Sequence, residues 1–457
     1  MKKIIAIMLL FFATLGVNVG VNSGANAATR NKVPNVKGDF NSVINESGVE
    51  KNSIAISIRD LSTGKPVYEL NEKILMHPAS VQKLLTLPPA VEVLGDDYNF
   101  STKIYKRGKN SYIIKLGADP YLSYSDLRQL AKNIEQETTK SVYIDDSILE
   151  KKDWGEGWQW DDDMNSLMPR FNSYNLDGNV TKITVMPTQK GQIATIINPS
   201  KYPIVFLNNI KTGDKNNVKI TRDNSISANT LTLEGTVNKP LVLSVPTNNL
   251  KRYFDVRLTN ALSDRNIYLK QNFITDKVIT SDKELEEITH PLSQAIDDIL
   301  KNSNNMMSET VSKLAGGKAY NDKGTDSYAI KLFNDYCVKN KLDNSRLRLA
   351  DASGVSKNNL VTADFISNYL VFNKNNETLQ HLPSPGEGTL THRMLPIKTD
   401  LKAKTGTLKD VSAIAGFLTT KKGNKYTFCI IINDPASTTS DMKTLEDYLI
   451  REAYIRL

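Results

Sequence analysis

Three short motifs carry residues that could do acyl-transfer chemistry. In chain order they are Ser80-Val-Gln-Lys83, Ser303-Asn-Asn305 and Lys404-Thr-Gly406. A serine hydroxyl becomes a strong nucleophile when a neighbouring base takes its proton. Lys83 follows Ser80 by three residues, a spacing that puts both side chains on one face of a helix. The pair therefore predicts the Ser-Lys form of nucleophilic catalysis, through a covalent acyl-enzyme.

The Ser-x-x-Lys pattern also occurs at Ser62-Thr-Gly-Lys65 and at Ser440-Asp-Met-Lys443, so local context has to distinguish the copies. Ser62-Thr-Gly-Lys65 lies in a polar segment between two apolar runs, which is typical of a surface turn. Ser80 follows Pro78-Ala79 and precedes Leu84-Leu85, which predicts a helix that begins at the serine with its apolar side buried. Taken alone, Ser80 also fits a helix cap, with Lys83 as a solvated charge. The presence of the other two motifs favours the catalytic interpretation.

The second and third motifs also lie beside regular elements. Ser303-Asn-Asn305 follows the amphipathic pattern of residues 292–300 and precedes another helical stretch, which predicts a break between two helices. Lys404-Thr-Gly-Thr407 precedes two apolar runs, residues 411–418 and 426–432, which predict a hairpin of buried strands. A glycine in such a strand leaves room for a ligand backbone to approach. These positions would bring polar side chains to one cleft.

Together the three motifs resemble those of the class C low-molecular-mass penicillin-binding proteins, D-alanyl-D-alanine carboxypeptidases that also act as endopeptidases. The resemblance extends through most of the chain, and the segments that carry it are Leu116-Gly-Ala-Asp-Pro120, Tyr143-Ile-Asp-Asp-Ser147, Trp154 to Trp160, Asp351-Ala-Ser-Gly-Val-Ser356 and Gly386-Glu-Gly-Thr-Leu390. It implies the α/β (α+β) fold class: a penicillin-recognising serine acyltransferase domain, with an antiparallel sheet flanked by helices, and two nested inserted domains, one of them mainly β.

The chain departs from the family pattern in two places. Asn304 occupies the middle of the second motif, where relatives tend to carry Asp. Pro88 and Pro89 fall inside the helix predicted to begin at Ser80, where proline removes backbone donors and clashes with the preceding turn. We therefore expect a kink near Leu87, with the first turn intact.

The resemblance implies a role for each motif residue. Ser80 would attack the carbonyl between two terminal D-alanines, with Lys83 as its base. The Lys83 amine must be neutral near pH 7, which burial and a second cation, Lys404, would achieve. Ser303 would relay a proton to the leaving amine, and Asn305 would hold Lys83 and the substrate amide. The residues predicted to bind substrate are Lys404, Thr405, Gly406 and Thr407 from the third motif, together with Asp145 and Asp146.

Asp145 and Asp146 are assigned to the substrate for a separate reason. Their carboxylates, and the tryptophans between Trp154 and Trp160, suit a free amine on the stem peptide, through charge pairing and cation–π contact. Tryptophans at this spacing also pack domain junctions, so a structural role is the alternative.

The spacing of the motifs predicts a discontinuous catalytic domain. More than two hundred residues separate Lys83 from Ser303, enough for inserted domains, and short alternating strands dominate residues 180–245. The class A β-lactamases place the first two motifs within one compact domain, which separates them from this chain. We predict a signal peptide at residues 1–27, a catalytic domain at 28–96 and 290–457, a second domain at 97–165 and 249–289, and a mainly β third domain at 166–248.

The N-terminus has the pattern of a secretory signal. Met1-Lys-Lys is followed by an apolar run from Ile4 to Val21 and by Ala25-Asn-Ala27, which predicts cleavage after Ala27. A retained membrane anchor is the alternative, because the run approaches the spanning length of about 20 residues. We therefore predict a secreted or extracytoplasmic protein, at the cell wall or the outer face of the bacterial membrane.

The composition argues against several other classes of protein. The formal net charge of +8 is mild and spread along the chain, so no nucleic-acid partner is predicted. The four histidines lack metal-type pairing, and we predict neither a metal nor another cofactor. Cys337 and Cys429 fit apolar core positions. The sequence leaves their pairing open, as it does the oligomeric state.

The predicted function is a serine-type D-Ala-D-Ala carboxypeptidase and DD-endopeptidase that acts on peptidoglycan stem peptides and is acylated by β-lactam antibiotics. Two alternatives remain at this point. A β-lactamase-like hydrolase would hydrolyse its acyl-enzyme quickly, and a catalytically silent cell-wall-binding protein would not need the intact motifs. The sequence leaves open the balance of carboxypeptidase, endopeptidase and transpeptidase activity, and the diamino acid preferred in the stem peptide.

Overall fold

The structure, a computed structural model, describes residues 39–136, 141–222, 227–269 and 272–457. Its helices are α1 Phe40–Glu46, α2 Lys83–Leu94, α3 Tyr124–Ala131, α4 Leu250–Ser263, α5 Leu292–Lys301, α6 Asn305–Tyr320, α7 Asp326–Lys339, α8 Ala363–Phe372, α9 Glu377–Gln380 and α10 Thr439–Arg456. Its strands are β1 Ile54–Asp60, β2 Pro66–Leu70, β3 Asn99–Arg107, β4 Ser111–Lys115, β5 Ser141–Asp145, β6 Val180–Met186, β7 Thr195–Ile197, β8 Val205–Thr212, β9 Asn217–Arg222, β10 Thr230–Val237, β11 Leu241–Pro246, β12 Ile274–Thr275, β13 Lys283–Pro291, β14 Leu401–Leu408, β15 Val411–Thr419 and β16 Lys425–Asn433.

The third motif lies on a sheet with the strand order β14-β15-β16-β1-β2, in which neighbouring strands are antiparallel. Strands β15 and β16 are buried almost throughout, which indicates that both faces of the sheet are covered. Helix α8 packs against β1 and β16, and α10 packs against β15. Within the described residues, β14 pairs only with β15, so it forms an edge of the sheet. The predicted mixed fold class, with an antiparallel sheet flanked by helices, is confirmed.

A second sheet, β12-β5-β4-β3-β13, lies between α2 and α5 in the chain. Helices α3 and α4 pack with it around a core that includes Tyr112, Leu127 and Phe254. The chain enters this region at β3 and leaves it at β13, and these strands pair, with Asn99 opposite Pro291. Entry and exit are therefore neighbours, an arrangement that suits an insertion. The described residues pack together as one unit, so the domain boundaries stay predictions.

Residues 180–246 form sheets of their own, with the orders β8-β10-β9 and β11-β6-β7. Buried and more exposed side chains alternate along β6, as in a strand that covers a core on one face. The core between these strands is apolar and includes Ile183, Ile210 and Leu233. The short strands expected in residues 180–245 are present, and among the described residues none of them pairs with the sheet that carries the third motif.

Helix α2 runs through Pro88 and Pro89 from Lys83 to Leu94, so it has no break at the expected kink near Leu87. Pro89 has no N–H to donate to the carbonyl of Leu85, four residues earlier. The hydroxyl of Tyr369 on α8 donates to that carbonyl instead, at 3.2 Å. A side chain from another helix therefore satisfies one backbone acceptor that the prolines leave free.

The predicted signal peptide, residues 1–27, lies outside the described residues. Among the described helices, none combines the length and the apolar character needed to cross a membrane.

Cys337 on α7 and Cys429 on β16 are both buried with free thiols, which answers the open question of their pairing. Burial raises the pKa of the Cys337 thiol to about 12, so it is unreactive at neutral pH.

Candidate active site

Ser80 is presented by a tight turn at the start of α2. Residues Ala79–Gln82 form a 3-10 turn, and the α-helix begins at Lys83, three residues later than expected. Ala79 has a φ of 46°, in the left-handed region that residues with a Cβ rarely adopt. Its carbonyl oxygen lies against Gly354, where an added Cβ would sit 2.0 Å from that oxygen. Backbone strain of this kind is typical of functional sites.

Lys83 is fully buried and has three polar partners. Its Nζ lies 2.8 Å from Ser80 Oγ, and it donates to Asn305 Oδ1 and to the carbonyl oxygen of Ser353, both at 2.7 Å. Burial lowers the pKa of Lys83 to about 7, although nearby buried carboxylates oppose the shift. A large fraction of the amine is therefore neutral near pH 7, as a general base must be.

Lys404 and Gly406 on β14 lie close to this pair. Lys404 is fully buried, its Nζ donates to the carbonyl oxygen of Thr405 at 2.8 Å, and burial together with the charge of Lys83 holds its pKa well below the usual range. Gly406 packs on the nucleophile turn, because an added Cβ would lie 2.8 Å from Ser80 N. The missing side chain thus makes room for the Ser80 backbone, whereas the sequence suggests room for a ligand.

The two threonines of the third motif differ in their exposure. Thr405 is buried, and its hydroxyl donates to Thr389 Oγ1 at 2.7 Å, which ties β14 to the Gly386–Leu390 segment. Thr407 is exposed and lies opposite Ser412 on β15. Of these two threonines, Thr407 is therefore the one that faces solvent at the edge of the sheet.

The second motif lies between α5 and α6. Asn304 caps α6, because its Oδ1 accepts from the N–H of Met307 at 3.0 Å. Asparagine and aspartate cap helices about equally well, which explains why Asn304 is tolerated here. Asn305 reaches Lys83 as predicted, but its Nδ2 donates to the carbonyl oxygen of Leu167 at 2.9 Å, where the sequence analysis places the substrate amide. Ser303 is half-buried with a φ of 61°, and its proton-relay role stays a prediction.

The comparisons with known proteins agree with this geometry. Residues 36–452 match the D-Ala-D-Ala carboxypeptidase 3 (S13) family. The chain belongs to this family. The resemblance inferred from the motifs is thereby confirmed, and the protein is a serine-type carboxypeptidase of the penicillin-binding class.

Several members of the carboxypeptidase family can be compared over most of their length. D-alanyl-D-alanine carboxypeptidase DacB of Haemophilus influenzae is 25% identical over 442 residues, which cover 88% of this chain and 90% of that protein. A D-alanyl-D-alanine carboxypeptidase from an Actinomadura species is 24% identical over 481 residues, or 94% and 86% of the two chains. The crystal structure of penicillin binding protein 4 (dacB) from Haemophilus influenzae has a TM-score of 0.80 at 22% identity, and the match covers 91% of this chain and 99% of that one. The two proteins share one fold.

The loop Asp351–Ser356 is a part of the carboxypeptidase site to which the sequence analysis assigned no role. The buried carboxylate of Asp351 accepts from the N–H groups of Gly354 at 2.9 Å and Ser356 at 2.7 Å, and from Trp158 Nε1 at 2.8 Å. These bonds fix the loop whose Ser353 carbonyl contacts Lys83. The sequence shows an aspartate followed by small residues, Asp351-Ala-Ser-Gly, which is compatible with a tight buried loop. No local pattern connects this loop to Lys83.

Asp145 and Asp146, predicted to bind substrate, both make contacts within the inserted region. Asp145 is buried, and its carboxylate accepts from Ser147 N and Oγ and from Val278 N. Asp146 is half-buried and accepts from the Tyr174 hydroxyl at 2.9 Å. In the described part of the chain, no hydrogen bond or ion pair joins either carboxylate to the three motifs. Their role in substrate binding stays a prediction.

The tryptophans of the Trp154–Trp160 segment have different environments. Trp158 is buried in the core that contains α2, and its ring meets that of Trp154 edge-on at 5.1 Å. Trp160 is 83% exposed. Trp158 thus has the packing role that was the alternative to substrate binding, and Trp160 is the ring that faces solvent. Among the described residues, no cluster of His, Cys, Asp and Glu has the arrangement of a metal site.

Proposed function

We propose that the enzyme removes the terminal D-alanine from peptidoglycan stem peptides through an ester between the peptide and Ser80. The observation that supports this most directly is the 2.8 Å distance between Lys83 Nζ and Ser80 Oγ, in a site where burial lowers the pKa of Lys83 to about 7. A neutral buried amine at hydrogen-bond distance can take the serine proton as the oxygen attacks. The relatives from Haemophilus and Actinomadura are named for the same activity.

In the acylation step, Lys83 Nζ accepts the proton of Ser80 Oγ while that oxygen bonds to the carbonyl carbon of the penultimate D-alanine. The backbone N–H groups of Ser80 and Thr407 would stabilise the oxyanion, each contributing about 3 kcal/mol. The C–N bond then breaks, and the leaving D-alanine takes a proton relayed through Ser303. In deacylation, a water oxygen bonds to the ester carbonyl carbon while Lys83 accepts a proton from that water. The bond between this carbon and Ser80 Oγ then breaks, and Lys83 returns the proton to Ser80 Oγ. When the bond cut is a cross-link, the same steps make the enzyme a DD-endopeptidase.

The stem peptide would bind along the open edge of β14 as an added strand. Its terminal carboxylate would be received by Lys404, Thr405 and Thr407. The low pKa of Lys404 follows from burial and from Lys83, so an arriving carboxylate would favour the protonated form of Lys404. Substrate binding and protonation of Lys404 are therefore linked.

β-Lactam antibiotics would acylate Ser80 in the same way. One structure of the Haemophilus protein is described as a complex with a β-lactam. The test is to treat the enzyme with penicillin, digest it and locate the added mass by mass spectrometry. We expect the mass on the peptide that carries Ser80, and its appearance on the peptide that carries Ser62 or Ser440 would overturn the assignment. Rapid loss of the mass would favour a β-lactamase-like hydrolase.

We also propose the domain division predicted above, with a catalytic domain at residues 28–96 and 290–457 and the insertions at 97–165 with 249–289 and at 166–248. The pairing of β3 with β13, where the chain leaves and rejoins the catalytic part, supports it. Expression of residues 97–289 alone tests the division. A soluble product with a cooperative unfolding transition is expected, and an unfolded product would contradict independent insertions.

For the free amine of the stem peptide we propose Asp146, the more exposed carboxylate of the Asp145-Asp146 pair. The test compares kcat/KM for peptides with and without the side-chain amine, in wild type and in Asp146→Asn and Asp145→Asn. Equal values for both peptides in wild type would leave neither carboxylate with a role in substrate recognition.

The pattern of residues 1–27 supports our proposal that the enzyme works outside the cytoplasmic membrane.

A further inference from the structure

Glu309 is a buried carboxylate one turn after Asn305 on α6. It is 2% exposed. Its carboxylate accepts from the backbone N–H of Ala352, at 3.1 Å from either oxygen, and from the N–H of Ser353, at 2.7 Å from Oε1. Residues four apart lie on one face of a helix, so Asn305 and Glu309 point the same way. Helix α6 therefore makes two contacts around Lys83: Asn305 bonds to Lys83 itself, and Glu309 bonds to the loop that carries Ser353.

The contacts of Glu309 lead to the nucleophile in three steps. Glu309 holds the N–H of Ser353, the carbonyl of Ser353 accepts from Lys83 Nζ at 2.7 Å, and Lys83 Nζ lies 2.8 Å from Ser80 Oγ. Ser353 is thus bonded at its N–H to the carboxylate and at its C=O to the catalytic amine. A displacement of the Ser353 backbone would move an acceptor away from Lys83.

The geometry of a neutral amine makes this acceptor important. A protonated lysine has three N–H donors, whereas the neutral form has two donors and one lone pair. Asn305 Oδ1 and the Ser353 carbonyl can accept the two N–H groups of Lys83. The remaining tetrahedral direction, toward Ser80 Oγ, is then the lone pair. With both acceptors in place, the lone pair faces the proton that it has to remove.

Resting on the function proposed above, we propose that Glu309 is a positioning residue: through the Ser353 peptide it aims the lone pair of Lys83 at Ser80. Glu309 touches neither substrate nor the reacting atoms. Asp351, by contrast, accepts both from the backbone of its own loop and from the side chains of Gln82, Trp158 and Asn359, so its substitution would disturb several contacts at once. Glu309 comes from a different element, and its carboxylate accepts from the N–H groups of Ala352 and Ser353.

The charge of Glu309 has to be separated from its position. The charged groups around Lys83 are Lys404 from β14, Asp351 from the loop and Glu309 from α6. An ionised Glu309 acts to raise the pKa of Lys83, against the effect of burial. Burial raises the pKa of Glu309 itself to about 8, so this group is mostly protonated and uncharged below pH 7, where Lys83 gains its proton. Removal of the acidic group should therefore leave the acidic limb of the pH profile almost unmoved.

The experiment compares three variants by the rate of acylation with a fluorescent penicillin across the pH range. Glu309→Gln keeps the volume but turns an amide NH₂ toward backbone N–H groups. We expect the limiting acylation rate to fall about tenfold to a hundredfold, the loss typical of a misplaced catalytic group, with the acidic limb unmoved and the penicillin affinity before acylation unchanged. Glu309→Asp keeps the carboxyl group with a shorter reach, and should also lower the limiting rate with the affinity unchanged. Glu452→Gln, at a buried glutamate paired with Arg456 on α10, is the matched control and should change neither.

The results separate this inference from the function on which it depends. A folded Glu309→Gln variant with a wild-type limiting rate of acylation, or with a loss that lies entirely in penicillin affinity, would overturn the positioning role. If that variant does not fold, Glu309→Asp decides, because wild-type rates in it would have the same meaning. A wild-type enzyme that carries no penicillin on Ser80 would instead overturn the proposed function.

Discussion

Ser80 and Lys83 share their spacing with Ser62 and Lys65, but the two pairs lie in opposite environments. Lys83 is fully buried, with its Nζ 2.8 Å from Ser80 Oγ. Ser62 and Lys65 are exposed on the turn between β1 and β2, and the Ser62 hydroxyl donates to Asp60 at 2.6 Å. Because desolvation favours the neutral amine, only the buried lysine is suited to act as a base. Burial, rather than spacing, distinguishes the two pairs.

A third copy of the pattern, Ser440 and Lys443, shows that a helical position and partial burial are not sufficient to make a Ser-x-x-Lys pair a nucleophile and its base. The pair lies in the first turn of α10, where burial and then the charge of Arg393 lower the pKa of Lys443. Ser440 is exposed, and no hydrogen bond in the described residues joins its hydroxyl to Lys443. Among the described residues, no pair of acceptors orients the Lys443 amine in the way that Asn305 and Ser353 orient Lys83. Acceptors for the amine are therefore the second requirement.

The largest effect on penicillin labelling is expected when the same substitutions are made in the Ser80–Lys83 pair and in the Ser62–Lys65 pair. Ser80→Ala should abolish penicillin labelling, and Lys83→Met should slow it by about a hundredfold to ten-thousandfold, because the general base is lost. Ser62→Ala and Lys65→Met should label at the wild-type rate. Single-turnover labelling measures the rates, and circular dichroism checks that each variant is folded. Loss of labelling in Lys65→Met would contradict the comparison.

The next effect is the dependence of acylation on pH. The pKa of Lys83 is lowered by burial to about 7, and only the neutral amine accepts the proton of Ser80. The rate should therefore rise with pH to a plateau above about 8, and fall about tenfold for each pH unit well below 7. Rate constants for acylation between about pH 5 and 9 measure this limb. A midpoint near the usual lysine value of about 10 would mean that Lys83 is not desolvated in solution.

A smaller effect concerns the helix that holds Lys83 in its buried position. Tyr369→Phe removes the hydroxyl that donates to the Leu85 carbonyl in the proline-containing part of α2. A buried acceptor without a partner costs about 1–3 kcal/mol, so the free energy of unfolding should fall by that amount in urea titrations. Tyr320→Phe, at an exposed bond to Asp335, should change it by less than about 0.5 kcal/mol. Equal losses in both variants would show that the Leu85 carbonyl does not need Tyr369.

The smallest effect is expected at the cap of α6. Asn304→Ala removes the side chain that accepts from Met307 N, and should cost about 1 kcal/mol of stability. Asn304→Asp should leave both stability and acylation unchanged, because aspartate makes the same cap. Urea unfolding and penicillin labelling of the two variants measure these outcomes. Slower labelling in Asn304→Asp would give the middle residue of the motif a role beyond capping.

The sequence by itself determined the features that depend on near neighbours. The Ser80–Lys83 pair, the β15–β16 hairpin and the helix break at Ser303 all follow from patterns within a few residues, and the family followed from motifs that are each contiguous. The sequence also identified Lys404 as the second cation near Lys83. Periodicity and short spacing report the local backbone, so these elements could be predicted without a fold.

Only the tertiary structure decided which distant groups surround those residues. Ser353 contacts Lys83 from more than two hundred residues away, and Glu309 in turn holds the N–H of Ser353. Gly406 packs on the Ser80 turn, and the Tyr369 hydroxyl meets a carbonyl left free in α2. No local pattern carries such contacts, because they arise when separate elements pack together. The same packing excludes water from Lys83, and desolvation is what converts an ordinary lysine into a base.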